Sequence, residues 1–310
     1  MVEFSYNFSP TISKLVETVE ILRRDILLVP LSPKHELHYR WEAMLSRLYW
    51  SLSLNGNNLS KKEMIKILSS SEKKKLSSDE ANVVNYRRAL IYINHEWLVT
   101  TKEVNVKTVQ TLHELACSGK LRVPEATIKQ MLVYLQAAKE HPVIQAAIAQ
   151  IQIVGIAPFS DGNGRTSRLL SLLFLYKHGY DIRGLLMLDD YWRHNMGTFN
   201  QTIQNALKNG NITLWIEYFA QACVHQLTKV RQALLSEQFS LNIPFYWHIN
   251  DRQKEIMAIL EQPGSSITNK KVQKAFKISQ ITASRDLTRL ATLGLLFAHG
   301  KGRSVYYTHA

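Results

Sequence analysis

The chain has 310 residues and a formal net charge of +13, and apolar residues make up 45% of it, which is enough for a buried core. No run of eighteen apolar residues predicts a membrane span, and the first residues lack the basic and apolar pattern of a signal peptide. The two cysteines, Cys117 and Cys223, show no metal-type spacing. We therefore expect a cytoplasmic protein with reduced cysteines, whose positive charge permits contact with nucleic acid or another polyanion.

Helical periodicity dominates the first part of the chain. Apolar residues recur at spacings of three and four over 15–22 and 41–52. A strongly apolar helix is predicted over 133–156, and an amphipathic one over 214–227. These patterns predict a mainly α-helical protein.

Two segments interrupt the helical pattern. Residues 69–80 are polar and charged and predict an exposed connection. Residues 240–250 contain Pro244 and an aromatic cluster, which indicates a linker packed on a domain surface. We place a domain boundary there, with 236–250 as the linker.

Residues 251–310 predict a small second domain. Three short helices followed by two strands around Gly300 are the order of a winged helix, and this segment has ten Lys and Arg residues against four Asp and Glu. The candidates for DNA contact are Arg285 and Arg289 in the third helix, with Lys301 and Arg303 in the hairpin. A dimerisation or protein-docking module is the competing interpretation, so a homodimer stays open as well.

The stretch IAPFSDGNGRTSR, residues 156–168, has the composition of a polyphosphate site. Glycines around Asn163 let the backbone approach an anion, and the helix that follows points its free N–H groups at it. Arg165 and Arg168 can clamp phosphate oxygens with forked donors. Asp161 can hold a Mg²⁺ ion that bridges such oxygens. The combination predicts a site for a Mg²⁺–nucleotide complex.

Two other interpretations of this stretch were weighed. A calcium-binding EF-hand loop is excluded, because Arg165 takes its fifth position and Leu172 its twelfth, where a glutamate is needed. An ordinary glycine-rich helix entry with surface arginines explains the four residues Asp-Gly-Asn-Gly, but the flanking pattern extends well beyond them.

The same stretch resembles the active-site signature of the Fic (filamentation induced by cAMP) family, His-Pro-Phe-x-Asp/Glu-Gly-Asn-Gly-Arg-x-x-Arg. The matching positions are Pro158, Phe159, Asp161, Gly162, Asn163, Gly164, Arg165 and Arg168. The sequence from about Thr108 to Leu227 resembles the supporting helices of the family. The resemblance implies a mainly α fold. An N-terminal helical region (1–100) would precede a Fic-type core (101–235) with a short β-hairpin flap, and a winged-helix domain (251–310) would end the chain.

The resemblance also implies an activity, the transfer of AMP from ATP to a Ser, Thr or Tyr hydroxyl of a target protein, with ATP and Mg²⁺ required. Asp161 would be the metal ligand, and Arg165 a catalytic residue that holds phosphate together with Arg168. The implied nucleotide-binding positions are Phe159, Gly162, Asn163, Gly164, Arg165, Arg168, Phe199 and Asn200.

Ala157 stands where the family has the histidine that deprotonates the attacking hydroxyl. Alanine has no titratable group, so we expect the chain to be inactive or impaired in transfer. The alanine is either an engineered change or a natural loss, and scattered departures such as Gln150, where the family often has another histidine, favour natural loss. The alternative function is a catalytically degenerate nucleotide-binding regulator with a DNA-binding winged helix.

Residues 51–57, SLSLNGN, resemble the inhibitory helix found in many Fic proteins, with Ser51 and Gly56 in register. The glutamate of that helix is replaced by Asn55, which is expected to hydrogen-bond Arg168 without forming an ion pair. A plain Asn-Gly turn is the competing interpretation.

Overall fold

The computed structural model describes residues 4–31, 33–69, 76–137, 139–235, 249–260, 265–300 and 305–309. Within these ranges the chain forms fourteen α-helices and one three-stranded sheet. The first eight helices are α1 (Pro10–Leu28), α2 (Pro33–Ser53), α3 (Lys61–Ser69), α4 (Ser78–Glu96), α5 (Val106–Ala116), α6 (Glu125–Ala137), α7 (Pro142–Ile156) and α8 (Asn163–Lys177). The remaining helices are α9 (Leu188–His194), α10 (Met196–Asn209), α11 (Thr213–Leu235), α12 (Asp251–Ile259), α13 (Asn269–Phe276) and α14 (Gln280–Thr292). The mainly α-helical fold is thereby confirmed.

Helix α7 lies at the centre of the core. Every residue from Val143 to Ile153 is buried, and α8 packs along this helix. The Trp215 side chain of α11 donates an Nε1 hydrogen bond of 2.8 Å to the carbonyl of Ala147 in α7. Helix α1 packs against α11 from the other side. The two helices that flank the Asp-Gly-Asn-Gly loop are therefore held from several directions.

The apolar segment 133–156, predicted as a helix entered through His141-Pro142, belongs to two helices, and the second begins at that predicted entry. Helix α6 ends at Ala137, and α7 begins at Pro142 with His141 as its N-cap. Proline is favoured at the first position of a helix and disfavoured inside one, so it starts α7.

The short β-hairpin flap that the resemblance implies around residues 119–128 was wrong, since residues 117–124 form no hairpin and α6 begins at Glu125. This short segment instead pairs with the loop after α7 through an antiparallel bridge between Leu121 and Phe159. The Arg122 N–H donates to the Pro158 carbonyl at 2.8 Å, and the Ser160 N–H donates to the Lys120 carbonyl at 2.8 Å. The segment thereby fixes one edge of that loop.

The described residues after 249 form a smaller unit. Helices α12 to α14 pack with a sheet of β1 (Ser266–Thr268), β2 (Leu296–His299) and β3 (Tyr306–His309), in the order β1-β3-β2 with antiparallel pairs. Strand β1 was not predicted, since the sequence indicated only three helices and two later strands in 251–310. Helix α13 begins after Thr268, whose hydroxyl accepts the N–H of Lys271.

Part of the sequence-based division lies outside the described residues. This applies to 236–248 of the predicted linker and to 70–75 of the predicted polar connection. Among the described helices, none combines the length and the apolar character that crossing a membrane requires.

Candidate nucleotide-binding site

Residues 157–162 connect the end of α7 to the start of α8, and both ends of this loop have left-handed backbone. Ala157 caps α7 with φ 46° and ψ 57°, and Gly162 caps α8 with φ 77°. Glycine is required at 162, because a Cβ atom there would lie 2.6 Å from the Cys117 side chain. Ala157 is exposed, and its left-handed conformation costs an alanine about 1–2 kcal/mol.

The amide of Asn163 fixes the shape of this loop. Its Oδ1 accepts the N–H of Phe159 at 2.9 Å, and its Nδ2 donates to the Phe159 carbonyl at 2.7 Å. Both ends of the amide are used within the protein. Asn163 therefore shapes the loop from within, through both polar ends of its amide.

The N-terminus of α8 is open to an anion. Gly162 has no side chain to cap it, so the N–H groups of the first turn, which includes Gly164, are free of a side-chain cap. A helix N-terminus with uncapped N–H groups favours phosphate, because its partial positive charge faces the ligand. This end of the site fits a polyphosphate.

Asp161 points outward beside this helix end. Its side chain is 69% exposed and lies 3.6 Å from Nη2 of Arg165. No cluster of three or more His, Cys, Asp or Glu side chains suited to a metal occurs among the described residues. A single exposed carboxylate next to a phosphate site suits Mg²⁺, which is commonly held by one or two carboxylates plus phosphate oxygens.

His113 supports the loop from below, and sequence reasoning missed it. Its ring stacks on Phe159 with centroids 3.7 Å apart, and its Nε2 lies 2.9 Å from the backbone carbonyl of Asp161. Phe159 is thus a buried wall of the loop. Burial raises the pKa of the Cys117 thiol, which lies next to Gly162. The only signal for His113 in the sequence was its position on the buried face of α5.

Arg165 lies largely beneath the loop. Its Nη1 donates to Asn82 Oδ1 of α4 at 2.9 Å and to the Ala116 carbonyl at 3.3 Å. The side chain is 11% exposed. Arg165 therefore ties α8 to α4 and α5, with its ion pair to Asp161 at the surface.

Arg168 is buried in a polar network. Its Nε lies 3.0 Å from Asp189 Oδ1 and 3.1 Å from Ser51 Oγ, and its Nη2 donates to the Ser51 carbonyl at 3.1 Å. Ser51 in turn donates to the Tyr86 hydroxyl at 2.7 Å. Burial raises the pKa of Asp189, while the guanidinium groups of Arg168 and Arg47 oppose that shift. The second arginine of the motif therefore has protein partners for Nε and Nη2, while its Nη1 lies beside Gly164 in the first turn of α8.

The segment that resembles an inhibitory helix lies against this network, but it forms the end of α2 and the turn that follows. Gly56 lies in that turn. The described hydrogen bonds of Arg168 go to Ser51 and not to Asn55, whose Nδ2 donates to the Ser51 carbonyl at 2.8 Å. The segment therefore contacts Arg168 through Ser51, a contact that the resemblance did not predict.

The two positions proposed for the adenine side lie on α10. Phe199 is buried, and its ring stacks on Trp192 with centroids 5.3 Å apart. Asn200 is exposed. Phe199 is thus part of the aromatic core, and it does not present an open face to a base.

The residues proposed for DNA contact are only partly described. Arg285 is exposed on α14, whereas Arg289 is half-buried and bonded within the protein. Lys301 and Arg303 lie outside the described residues.

Comparison with known proteins identifies the region around this loop. Residues 87–175 match the model of the Fic/DOC family. Curated proteins named protein adenylyltransferase Fic match 166 residues, at 28% identity for the one from Aedes aegypti and 30% for the one from Drosophila willistoni. Each match covers 45% of this chain and 33% of the relative, so the chain spans about a third of these relatives.

Solved structures share the fold. A Fic family protein from Desulfovibrio desulfuricans superposes with a TM-score of 0.63 at 15% identity, over 98% of this chain and 97% of that chain. Fic-1 from C. elegans superposes with a TM-score of 0.55 at 20% identity, over 72% of each chain. At these identities the likeness concerns the fold alone.

The buried ion pair between Arg168 and Asp189 leads to a stability prediction. The change Asp189→Asn leaves a buried guanidinium without its counter-charge, so we expect a loss of about 3 kcal/mol or more in the free energy of unfolding. The control is Asp25→Asn, which breaks an ion pair to Arg231 at the surface (2.9 Å) and should cost at most about 1 kcal/mol. Urea unfolding followed by circular dichroism measures both, and equal losses would contradict this assignment.

Proposed function

We propose that this chain, which carries a Fic/DOC family domain at residues 87–175, binds an adenine nucleotide with Mg²⁺ at the loop between α7 and α8. It would descend from enzymes that transfer AMP to protein hydroxyl groups. The observation that carries the proposal is the uncapped N-terminus of α8 beside the exposed carboxylate of Asp161. The relatives named protein adenylyltransferase Fic support the choice of ATP.

The residues of the loop have separate roles in this proposal. The backbone N–H groups at Gly162 and Gly164 would receive phosphate oxygens, and Asp161 would hold Mg²⁺, which supplies positive charge to the phosphates. Asn163 and His113 would keep the loop in the required shape through their contacts with Phe159. Positioning of this kind is a large part of catalysis in phosphoryl and nucleotidyl transfer.

Transfer needs one group that this chain lacks. The target hydroxyl oxygen bonds to the α-phosphorus, the bond from that phosphorus to the bridging oxygen breaks, and pyrophosphate leaves with the electron pair. The hydroxyl proton must pass to a base, and Ala157 offers none. We therefore propose that the chain binds nucleotide but transfers AMP poorly or not at all.

The backbone at Ala157 supports descent from an active enzyme. Histidine, asparagine and aspartate adopt the left-handed backbone conformation more readily than the other residues that carry a side chain. The backbone conformation at 157 thus suits the histidine of the family signature better than it suits alanine. A histidine placed here would lie on an exposed position next to the open end of α8.

The change Ala157→His tests the proposed transferase scaffold. We expect the variant, given Mg²⁺ and ATP, to add AMP to itself or to a lysate protein, and the parent chain to add at least tenfold less. Because imidazole must be neutral to accept a proton, the rate should rise with pH through about 6.5. Intact-mass analysis and α-labelled ATP provide the measurement.

The matched control is Ala157→Asn, which tolerates the same backbone conformation but has no titratable group. Adducts on the histidine variant alone would support the proposal. Equal labelling of all three chains, or none on the histidine variant despite bound ATP, would contradict it.

A second candidate function is a nucleotide-binding regulator that contacts DNA. The order α12, β1, α13, α14, β2, β3 supports a winged-helix interpretation of the small unit. The exposed cations on α13, on α14 and between them are Lys270, Lys271, Lys274, Lys277 and Arg285. Such a cluster is suited to phosphate contacts that position a protein on a duplex.

Salt dependence separates this candidate from a protein-docking module. We expect the logarithm of the affinity for duplex DNA to fall steeply as the logarithm of the salt concentration rises. Lys274→Ala and Arg285→Ala should each reduce this slope by about one. Lys129→Ala, at an exposed position of α6, is the control and should leave the slope unchanged. Fluorescence anisotropy measures the slopes, and no binding at low salt would exclude the candidate.

A further inference from the structure

A cavity of about 500 Å³ lies between the helical core and the small C-terminal unit. Helices α2 and α4 form one wall, and the end of α14 with strand β2 forms the other. Small-molecule sites commonly have volumes of about 300–1,000 Å³ and often lie between domains. The cavity is lined by neither the α7–α8 loop nor its predicted site residues.

Three guanidinium groups border this cavity, those of Arg40, Arg47 and Arg87. Each uses one nitrogen for a backbone carbonyl. Arg40 Nε donates to Arg183, Arg47 Nη2 to Leu186, and Arg87 Nη2 to Thr292. A guanidinium has five N–H donors, so each of the three has donors beyond those contacts.

The cavity has no matching negative charge in its wall. None of the described residues that line it is Asp or Glu, and Glu36, which is not among them, lies 4.0 Å from Arg40. Burial lowers the pKa of Arg87 to about 10, and this guanidinium donates to backbone carbonyls of α14. Glu36 partly offsets the charge of Arg40 and Asp189 that of Arg47, whereas the described contacts of Arg87 are carbonyls only. A partly buried positive charge without an acidic partner favours an anionic occupant.

The rest of the wall is apolar. Met44, Leu90 and Ile91 line the core side, and Leu296 and Phe297 line the opposite side. His95 also lines the cavity, and burial lowers its pKa, which favours the neutral imidazole at neutral pH. An occupant therefore needs an apolar body as well as a negative head group.

We propose that this cavity binds a small amphipathic organic anion, with its head group near Arg40 and Arg87 and its apolar body between Met44 and Phe297. Such a ligand would contact both the helical core and the C-terminal unit. It would occupy a site separate from the nucleotide loop, so the proposal does not depend on nucleotide binding.

The test uses the full chain and the fluorescent anion 8-anilinonaphthalene-1-sulfonate. We expect saturable binding at one site, at least tenfold tighter than binding of N-phenyl-1-naphthylamine, which has the same rings without the sulfonate. The change Arg87→Met should weaken binding of the anion at least fivefold. Arg88→Met, at the exposed neighbouring position of α4, should leave it unchanged.

A pair of variants at the rim guards against loss of folding. Ile91 lines the cavity and is partly exposed, so a charge there is compatible with the fold. Ile91→Glu should weaken binding of the anion at least fivefold, whereas Ile91→Lys should maintain or strengthen it. Equal affinity for the anion and the neutral compound would overturn the proposal. Equal affinity of the Glu and Lys variants for the anion would also overturn it.

Discussion

The site depends on how the charge of Arg168 is satisfied inside the protein. This guanidinium is 8% exposed, and Asp189 of α9 and Ser51 of α2 surround it. An isolated buried charge is costly, whereas a paired and hydrogen-bonded one is tolerated. The network connects α8 with α2 and α9, and it reaches α4 through the Tyr86 hydroxyl. These helices therefore have to pack together for the start of α8 to be held in place.

This arrangement divides the site into an open end and a closed end. At the open end, the N-terminus of α8 and the carboxylate of Asp161 face solvent. At the closed end, Arg165 and Arg168 already have partners in the protein. A nucleotide would therefore be held chiefly by backbone N–H groups and by a metal on Asp161, with less help from the arginines than the sequence motif implies.

The features that were predicted correctly from the sequence are those that a local pattern of residues determines. Amphipathic spacing predicted α1, α2 and α11. The glycines of the loop indicated the backbone freedom that its turn requires. These features depend on neighbouring residues, which a single sequence displays.

Features that depend on distant residues escaped prediction. Asp189 lies on another helix from Arg168, and its own neighbours give no sign of an ion pair. Residues 117–124 pair with the motif loop and form no hairpin of their own, a choice decided by tertiary contact. Phe199 was placed at an adenine pocket, but the aromatic cluster around Trp192 buries it. Three-residue strands such as β1 are too short for a recognisable alternation.

Asp189 and Ser51 hold Arg168 through Nε and Nη2, which leaves only Nη1, beside Gly164, to meet a third phosphate. Isothermal titration of the unmodified chain with ATP and with ADP, both with Mg²⁺, tests this central claim most directly. If Asp189 and Ser51 retain Arg168, the third phosphate gains little and the two Kd values agree within about threefold, which is a difference below about 1 kcal/mol. ATP binding at least tenfold tighter than ADP would show that Arg168 leaves Asp189 for the ligand, and would contradict the account.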